Sequence, residues 1–369
     1  PEIWARVRHV LLPKDYLRFR LTGTLASEIS DAAGTALLDV AHGRWSQAVL
    51  DALDLDPALL PPVIGAAEVA GRITHAVAAQ TGLPEGVPVA GGGADNACAA
   101  VGAGIVQPGQ ALVSIGTSGV VLAYAATPLV DRSGPIPRVH TFNHAVPGAW
   151  YLMGVTQSAG LSLRWVREQI GAAEQERARA TGQDAYDILA AEASQVPVGS
   201  EGLLFLPYLQ GERTPILDSQ ARGGWVGLTA RHTRAHLIRA VLEGVAFSLR
   251  DCLGVLREAG VALSEVRVTG GGARNAVWRQ ILADVFAVPL LPLTTAEGPA
   301  LGAAALAGVA AQIYPSVPAA CAQLVSSADP VLPDASAHAH YAQIYPLYQG
   351  LYAALRDTMH ALTQLSMLY

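Results

Sequence analysis

Two glycine triplets, each between a short apolar run and a helix-forming segment, constrain the fold of this 369-residue chain most strongly. In the first, residues 87–90 lead into GGGADN at 91–96; in the second, EVRV leads into TGGGARN at 269–275. Glycines at the carboxyl end of a strand let the backbone approach a ligand and place a helix N-terminus beside it. The repeated order of strand, glycine loop and helix predicts an α/β fold.

A predicted hairpin supplies a further candidate ligand segment. ALVSIGTSGVVLAY at 111–124 has two apolar runs around a Gly-Thr-Ser-Gly turn. Such a turn exposes successive N–H groups and hydroxyls and can form an anion-binding nest, although a plain hairpin turn would have the same pattern. Other predicted elements are a second hairpin around Pro147-Gly148 and helices over 157–195, from Thr233 to about Gly260, over 297–314 and over 342–365.

Lys14 is the only lysine among the 24 basic residues. P-loop enzymes, protein kinases and Schiff-base enzymes each need a lysine in a defined setting, and no glycine loop precedes Lys14, which excludes these classes.

A net charge of −6 argues against a nucleic-acid partner. The start lacks a signal-type apolar segment, and prolines interrupt the longest uncharged stretch, so no membrane partner is expected. Three cysteines without CxxC spacing predict a reduced, cytoplasmic protein.

Asp95 and Asn275 each stand where a glycine loop meets a predicted helix. Either residue can be a simple helix N-cap, because Asp and Asn are favoured there. Asp95 can instead be a base that faces a small polar substrate in the space left by the glycines. Asn275, with the glycines before it, can instead lie against a nucleotide.

Two further segments leave alternatives open. In PYLQGERTP, Glu212 and Arg213 can order a loop as a buried charge pair or line a cleft. His232 and His236 have the i, i+4 spacing of metal ligands, but the HExxH glutamate is absent, which favours solvated residues in the first turn of a helix.

Taken in this order, the segments GGGADNACAAVGAG, SIGTSGVV, PYLQGERTP and GGGARNAVWRQILADVFAVP resemble the FGGY carbohydrate kinases, over roughly residues 11–311. The resemblance implies an actin- and hexokinase-like (ribonuclease H-like) α/β fold of two domains. We expect residues 1–106 to be the later part of the sugar-binding domain and residues 107–369 the ATP-binding domain, with a last helix that can pack back on the first. The first domain is expected to be incomplete, since the family's opening Asp-x-Gly-Thr and Met-His segments do not occur.

The resemblance also implies an activity, ATP-dependent phosphorylation of a ketopentose, with D-xylulose as the first candidate. Gluconate, ribulose and glycerol are alternative acceptors, and a truncated non-catalytic nucleotide-binding module is the alternative of another class. Mg²⁺ is expected on the ATP phosphates near Asp95, without a direct protein ligand, and a homodimer is a further expectation. The implied site residues are Asp95 as catalytic base, Asp95 and Asn96 on the sugar, and Gly116, Thr117, Ser118, Gly271, Gly272 and Asn275 on ATP.

Overall fold

The computed structural model describes residues 2–294 and 298–366, and this part of the chain is a mixed α/β structure. Its helices are α1 (Pro13–Thr22), α2 (Ile29–Ala32), α3 (Gln47–Ala52), α4 (His75–Thr81), α5 (Asp95–Gly102), α6 (Gly160–Gln169), α7 (Ala172–Thr181), α8 (Ala185–Ala193), α9 (Arg234–Glu258), α10 (Ala276–Phe286), α11 (Gly298–Ala310), α12 (Val317–Leu324) and α13 (Ala335–Ser366). Its strands are β1 (Ser27–Glu28), β2 (Leu38–Asp39), β3 (Arg44–Trp45), β4 (Val63–Ile64), β5 (Val69–Arg72), β6 (Pro88–Ala90), β7 (Gly109–Ile115), β8 (Gly119–Ala125), β9 (His140–Asn143), β10 (Trp150–Thr156), β11 (Leu204–Leu206), β12 (Gly224–Val226), β13 (Leu263–Thr269) and β14 (Leu290–Pro292).

The main sheet has six strands in the order β14-β13-β7-β8-β10-β9. Both predicted hairpins, β7–β8 and β9–β10, are confirmed as antiparallel pairs. Strand β13 is parallel to β7, with Thr269 opposite Ser114. Because parallel strands end at the same edge of a sheet, the turn after β7 and the glycine triplet after β13 leave the sheet side by side.

Strand β7 separates two hydrophobic cores, since successive side chains of a strand point to opposite faces. Val113 and Ile115 belong to the core that contains the buried faces of α9 and α10. Leu112 belongs to a second core on the other face, formed with α5, α11 and α12. The sheet is thus covered by helices on both faces, as expected for a predominantly buried α/β sheet.

Helices α5 and α11 pack backbone against backbone. A Cβ atom added at Gly102 would lie 1.8 Å from the Gly298 carbonyl oxygen, and one at Gly302 would lie 1.9 Å from the Cys98 carbonyl oxygen. Only glycine permits this approach, because real Cβ atoms do not come so close to other heavy atoms. The packing fixes the direction of α5, whose first residue is Asp95.

The last helix differs from its predicted start. Helix α13 begins at Ala335 instead of 342, because the Asp334 carboxylate accepts the Ala337 N–H at 2.8 Å and caps it. It packs on α9 and α10, where the Tyr341 hydroxyl donates to Glu243 at 2.8 Å. These contacts lie within residues 107–369, and packing of the helix on the first domain stays a prediction.

Two helical predictions change in detail. The helical region predicted over 157–195 forms three helices, α6 to α8, and the uncharged segment after α11 contains the unpredicted α12. The Ser316 side chain accepts the Ala319 N–H there, so Pro318 lies in the first turn of α12, where proline is tolerated. Across residues 2–294 and 298–366, no helix combines the length and apolar character needed to cross a membrane. The domain boundary at 106/107 stays a prediction.

Candidate active site

The first glycine triplet carries the chain from β6 into α5 against another backbone segment. The Gly91 N–H donates to the Glu68 carbonyl at 2.9 Å, and the Gly92 N–H donates to the Ala66 carbonyl at 3.0 Å. A Cβ atom at Gly91 would lie 2.3 Å from the Gly65 carbonyl oxygen, and Gly92 has a φ of 82°. Glycine is therefore needed at both positions for the loop to reach the start of α5.

Asp95 is exposed and is the first residue of α5, one position after the N-cap residue Ala94. Its Oδ1 atom accepts hydrogen bonds from the Asn96 backbone N–H at 2.7 Å and from the Asn96 side-chain amide at 3.1 Å. Its Oδ2 atom accepts no hydrogen bond from the described part of the chain. Asp95 is thus not the N-cap of the helix, and one carboxylate oxygen stays available to a ligand.

The turn between β7 and β8 is fixed through its carbonyl groups. The Gly160 and Leu161 N–H groups donate to the carbonyls of Gly116 and Thr117, at 2.8 and 3.0 Å. The Gly116 N–H donates to the Ser118 carbonyl at 3.0 Å. The N–H groups of Thr117 and Ser118 donate to no described residue, and consecutive unpaired N–H groups in a turn suit an anion.

The second glycine triplet packs on the end of β7. A Cβ atom at Gly272 would lie 2.5 Å from Ile115 Cγ2 and 2.8 Å from Trp278 Cζ3, whereas one at Gly271 would meet no atom within 4 Å. Asn275 is the N-cap of α10, because its side-chain oxygen accepts the Trp278 N–H at 3.1 Å. Its side-chain amide donates to Asp187 on α8 at 2.8 Å. Asn275 therefore caps one helix and connects it to another.

Two adjoining cavities lie at this edge of the sheet. The larger has a volume of about 740 Å³ and the smaller about 440 Å³, and Gly271 and Arg274 line both. The predicted sugar residues and the predicted ATP residues thus lie in neighbouring cavities with a shared wall. The larger cavity is also lined by Asp95, Asn96, Ser114 and Thr269, and the smaller by Gly116, Thr117, Gly272, Asn275 and Trp278.

Ser118 is the one predicted site residue outside the lining of these two cavities. Arg274 is the most informative residue that sequence reasoning missed. It is exposed, it lines both cavities, and its guanidinium makes no ion pair with a described side chain. Its position directly after the glycine triplet, in a chain with one lysine, is the signal that could have identified it as a cation of this site, where Arg164 and Arg279 each line one of the two cavities.

Glu212 orders a loop and lines neither cavity, but it does so without the predicted charge pair. It is 2% exposed, and its carboxylate accepts the hydroxyls of Thr156 and Ser248, at 2.5 and 3.2 Å. It also accepts the N–H groups of Gln157 and Arg213 at 2.9 and 2.8 Å. Burial raises the pKa of Glu212 to about 7. These bonds fasten the loop to the end of β10.

Arg213 does not form the predicted charge pair with Glu212. Its guanidinium contacts the His140 ring at 2.7 Å instead.

The two histidines with i, i+4 spacing accept hydrogen bonds from backbone N–H groups. The His232 ring accepts the Thr229 N–H at 2.9 Å, and the His236 ring accepts the Thr233 N–H at 3.2 Å. His236 thus completes the N-terminal cap of α9.

A carboxylate, a turn with unpaired N–H groups and two adjoining cavities at one edge of an α/β sheet are compatible with phosphoryl transfer. Family models agree with this class. The FGGY family of carbohydrate kinases matches with its N-terminal domain at residues 1–102 and with its C-terminal domain at residues 111–311. The chain belongs to the FGGY family of carbohydrate kinases.

Individual relatives give the same result. The chain is 39% identical to the xylulose kinase of Bacillus subtilis, over 98% of this chain and 70% of that protein. It is 42% identical to the xylulose kinase of Escherichia coli, over 97% of this chain and 71% of that protein. The crystal structure of xylulose kinase from Rhodospirillum rubrum matches with a TM-score of 0.86 and 32% identity, over 98% of this chain and 70% of that one. The predicted family and fold are confirmed.

The buried carboxylate of Glu212 predicts a pH-dependent stability. Its pKa is raised from 4.5 to about 7 in the folded protein, so the folded state retains a proton that the unfolded state loses as the pH rises. The stability contribution of Glu212 is therefore complete below about 4.5 and is lost as the pH rises through about 7. Glu212→Gln keeps this side chain neutral, so the variant should gain stability relative to the wild type between pH 5 and pH 8.

Urea unfolding at pH 5, 6, 7 and 8 measures this difference directly. The Asp51→Asn variant, which changes an exposed carboxylate on α3, should keep a constant difference from the wild type. A constant difference for Glu212→Gln as well would contradict the raised pKa of Glu212.

Proposed function

We propose that the protein transfers the γ-phosphoryl group of ATP to the terminal C5 hydroxyl of a ketopentose, D-xylulose, and forms D-xylulose 5-phosphate. One observation carries this proposal: a carboxylate and a turn with unpaired N–H groups line two cavities that share a wall. Such an arrangement lets an acceptor in one cavity meet a phosphate in the other. The xylulose kinases among the relatives support the choice of sugar.

In the proposed mechanism Asp95 is the general base. Its Oδ2 atom accepts the proton of the attacking hydroxyl, while Oδ1 stays bonded to the Asn96 N–H. Two features support this role: the carboxylate is exposed to the larger cavity, and it does not cap its helix. The Asn96 amide, which lines the same cavity, is proposed to bind a sugar hydroxyl.

The nucleotide is proposed to occupy the smaller cavity. The unpaired N–H groups of Thr117 and Ser118, with the Gly116 backbone beside them, would donate to the β- and γ-phosphates. Gly271, Gly272 and Asn275 would lie against adenosine. Arg274, on the wall shared by both cavities, would neutralise charge on the transferred phosphoryl group.

Mg²⁺ is proposed to arrive on the ATP phosphates, where it would share their charge. Within residues 2–294 and 298–366 there is no group of three or more His, Cys, Asp or Glu side chains that could hold a metal ion. The donor set present, one available Asp95 oxygen in the larger cavity, therefore fits a nucleotide-borne ion. A cytoplasmic location belongs to the same proposal, supported by three buried free cysteines, Cys98, Cys252 and Cys321. The homodimer stays a prediction.

A panel of acceptors tests the substrate. The full-length gene product with ATP and Mg²⁺ should release ADP fastest with D-xylulose, compared by kcat/KM with D-ribulose, gluconate and glycerol. Gluconate is the acceptor with independent support, because the gluconate kinase of Lactobacillus acidophilus matches in structure with a TM-score of 0.84 and 28% identity over 93% of this chain and 67% of that one. A higher kcat/KM for gluconate would replace the ketopentose assignment.

Asp95→Asn tests the base. An amide of the same size cannot take the proton, so D-xylulose-dependent turnover should fall by about 10²–10⁴-fold. ADP binding should not change, because Asp95 does not line the smaller cavity. Asp51→Asn on the surface of α3 is the matched control and should keep full turnover. Wild-type turnover in Asp95→Asn would remove Asp95 from the mechanism.

Gly271→Val and Gly272→Val form a matched pair that tests the nucleotide cavity. At Gly271 the new side chain enters open cavity space, so the KM for ATP should rise while the melting temperature stays unchanged. At Gly272 it meets Ile115 and Trp278, so the protein should also lose stability, typically about 1–3 kcal/mol for overpacking. Isothermal titration with ADP and thermal unfolding measure the two effects. An unaltered ADP affinity in Gly271→Val would place the nucleotide elsewhere.

A further inference from the structure

The only lysine of the chain lies in a cluster of carboxylates beside the first glycine triplet. Lys14 Nζ is 2.8 Å from Asp15 Oδ1, 3.6 Å from Glu28 Oε2 and 3.6 Å from Asp31 Oδ2. Its stem passes the triplet, since a Cβ atom at Gly92 would lie 3.4 Å from Lys14 Cδ. None of the steps proposed above uses this side chain.

Two of the three carboxylates in this cluster are fully buried, and the third, Asp31, is half-buried. Asp15 and Glu28 are 0% exposed. Arg18 is the second cation, 3.0 Å from Asp15 Oδ1, so two cations face three carboxylates. Burial raises the pKa of Glu28, and the charge of Lys14 opposes that rise. Without Lys14, a single cation would remain for three acidic groups.

Hydrogen bonds connect the cluster to both ends of the glycine loop. Glu28 Oε2 accepts the Ser30 hydroxyl at 2.8 Å, and Ser30 Oγ accepts the Ala94 N–H at 3.0 Å. At the other end, the Arg18 guanidinium donates to the Gly91 carbonyl at 2.6 Å. The loop is therefore held at its first residue and at the residue directly before Asp95.

We propose that Lys14 is a positioning residue for Asp95: its ammonium group faces Glu28, Glu28 accepts the Ser30 hydroxyl, and Ser30 Oγ accepts the N–H of the residue directly before Asp95. This inference rests on the proposed role of Asp95 as the base. Neutral Glu28 can donate a hydrogen bond to Ser30 Oγ instead of accepting one, so the Ser30 hydroxyl hydrogen turns away from Glu28 and one of the two acceptor positions of Ser30 Oγ is no longer open to the Ala94 N–H. The attachment directly before Asp95 would be weakened, while the hydrogen bonds of Gly91 and Gly92 would remain.

The charged and titratable groups around Lys14 come from α1, from β1 and α2, and from α5. The thiol of Cys98 stays neutral in the assay range, because burial raises its pKa to about 12. Burial also raises the pKa of Asp31, which Lys14 lowers. The groups around Lys14 are Asp15 and Arg18 on α1, Glu28 and Asp31 at β1 and α2, and Asp95 and Cys98 on α5.

Lys14→Met in the full-length gene product is the first test. Removal of the charge lets Glu28 take up a proton at a higher pH, so the acid limb of the kcat profile for D-xylulose should move to higher pH. At neutral pH kcat should fall by up to about 10²-fold, the order expected for a misplaced reacting group. The affinity for ADP should not change. Lys14→Arg keeps the charge and should restore most of the turnover, and Arg20→Met, which removes an exposed cation from the same helix, should match the wild type.

A double-mutant cycle separates this role from a merely structural one. Glu28→Gln should lower kcat, and its pH profile should lack the acid limb that titration of Glu28 produces. Adding Lys14→Met to Glu28→Gln should lower kcat little further. Independent, multiplying losses would overturn the proposal, and so would a wild-type pH profile in Lys14→Met. If Lys14→Met fails to fold, Lys14→Arg and Glu28→Gln still test the proposal. An unchanged pH profile of kcat in Glu28→Gln would also overturn it. Full turnover in Asp95→Asn would instead refute the proposed function.

Discussion

The close approach of α5 and α11 is the constraint on which the site depends. Their backbones meet where Gly102 and Gly302 lack side chains, so neither helix can shift without a collision. One end of α5 carries Asp95, and the first residues of α11, Gly298 and Pro299, line the same cavity. The carboxylate thus stands on a rigid helix pair packed against the sheet, which is the support that a precisely placed reacting group needs.

In the proposed function, backbone N–H groups would take the place that cationic side chains have in P-loop proteins. The turn between β7 and β8 has its Gly116 and Thr117 carbonyls bonded to the start of α6, so its remaining N–H groups are the donors left to a ligand. Gly160 makes this contact possible, because a Cβ atom there would lie 2.4 Å from the Gly116 carbonyl oxygen. The scarcity of lysine is consistent with this use of main-chain donors, and it leaves Lys14 to the carboxylate cluster.

Local sequence patterns predicted the hairpins, the glycine loops and α9, because periodicity, turn residues and a capping threonine act over a few residues. They did not predict that Glu212 is buried and accepts four hydrogen bonds, because its partners Thr156 and Ser248 lie far away in the sequence. The cluster around Lys14 was missed for the same reason: Glu28 and the glycine loop meet it only through tertiary packing. The start of α13 was missed because an N-cap at Asp334 needs the actual backbone geometry.

The distribution of charge between the two cavities bears on how ATP would be oriented in the proposed function. The larger cavity carries Asp95, and Asp31 is close enough for the Asp95 charge to raise its pKa, after the larger effect of burial. The smaller cavity presents N–H donors at its turn together with Arg164, Asp184 and Asp187, and Arg279 lines the larger cavity. Arg274 stands at the shared wall, and a triphosphate is attracted to the N–H donors and the guanidinium groups and repelled by the carboxylates. Its terminal phosphate would therefore stop at the wall between the cavities, which is where an acceptor hydroxyl beside Asp95 could reach it.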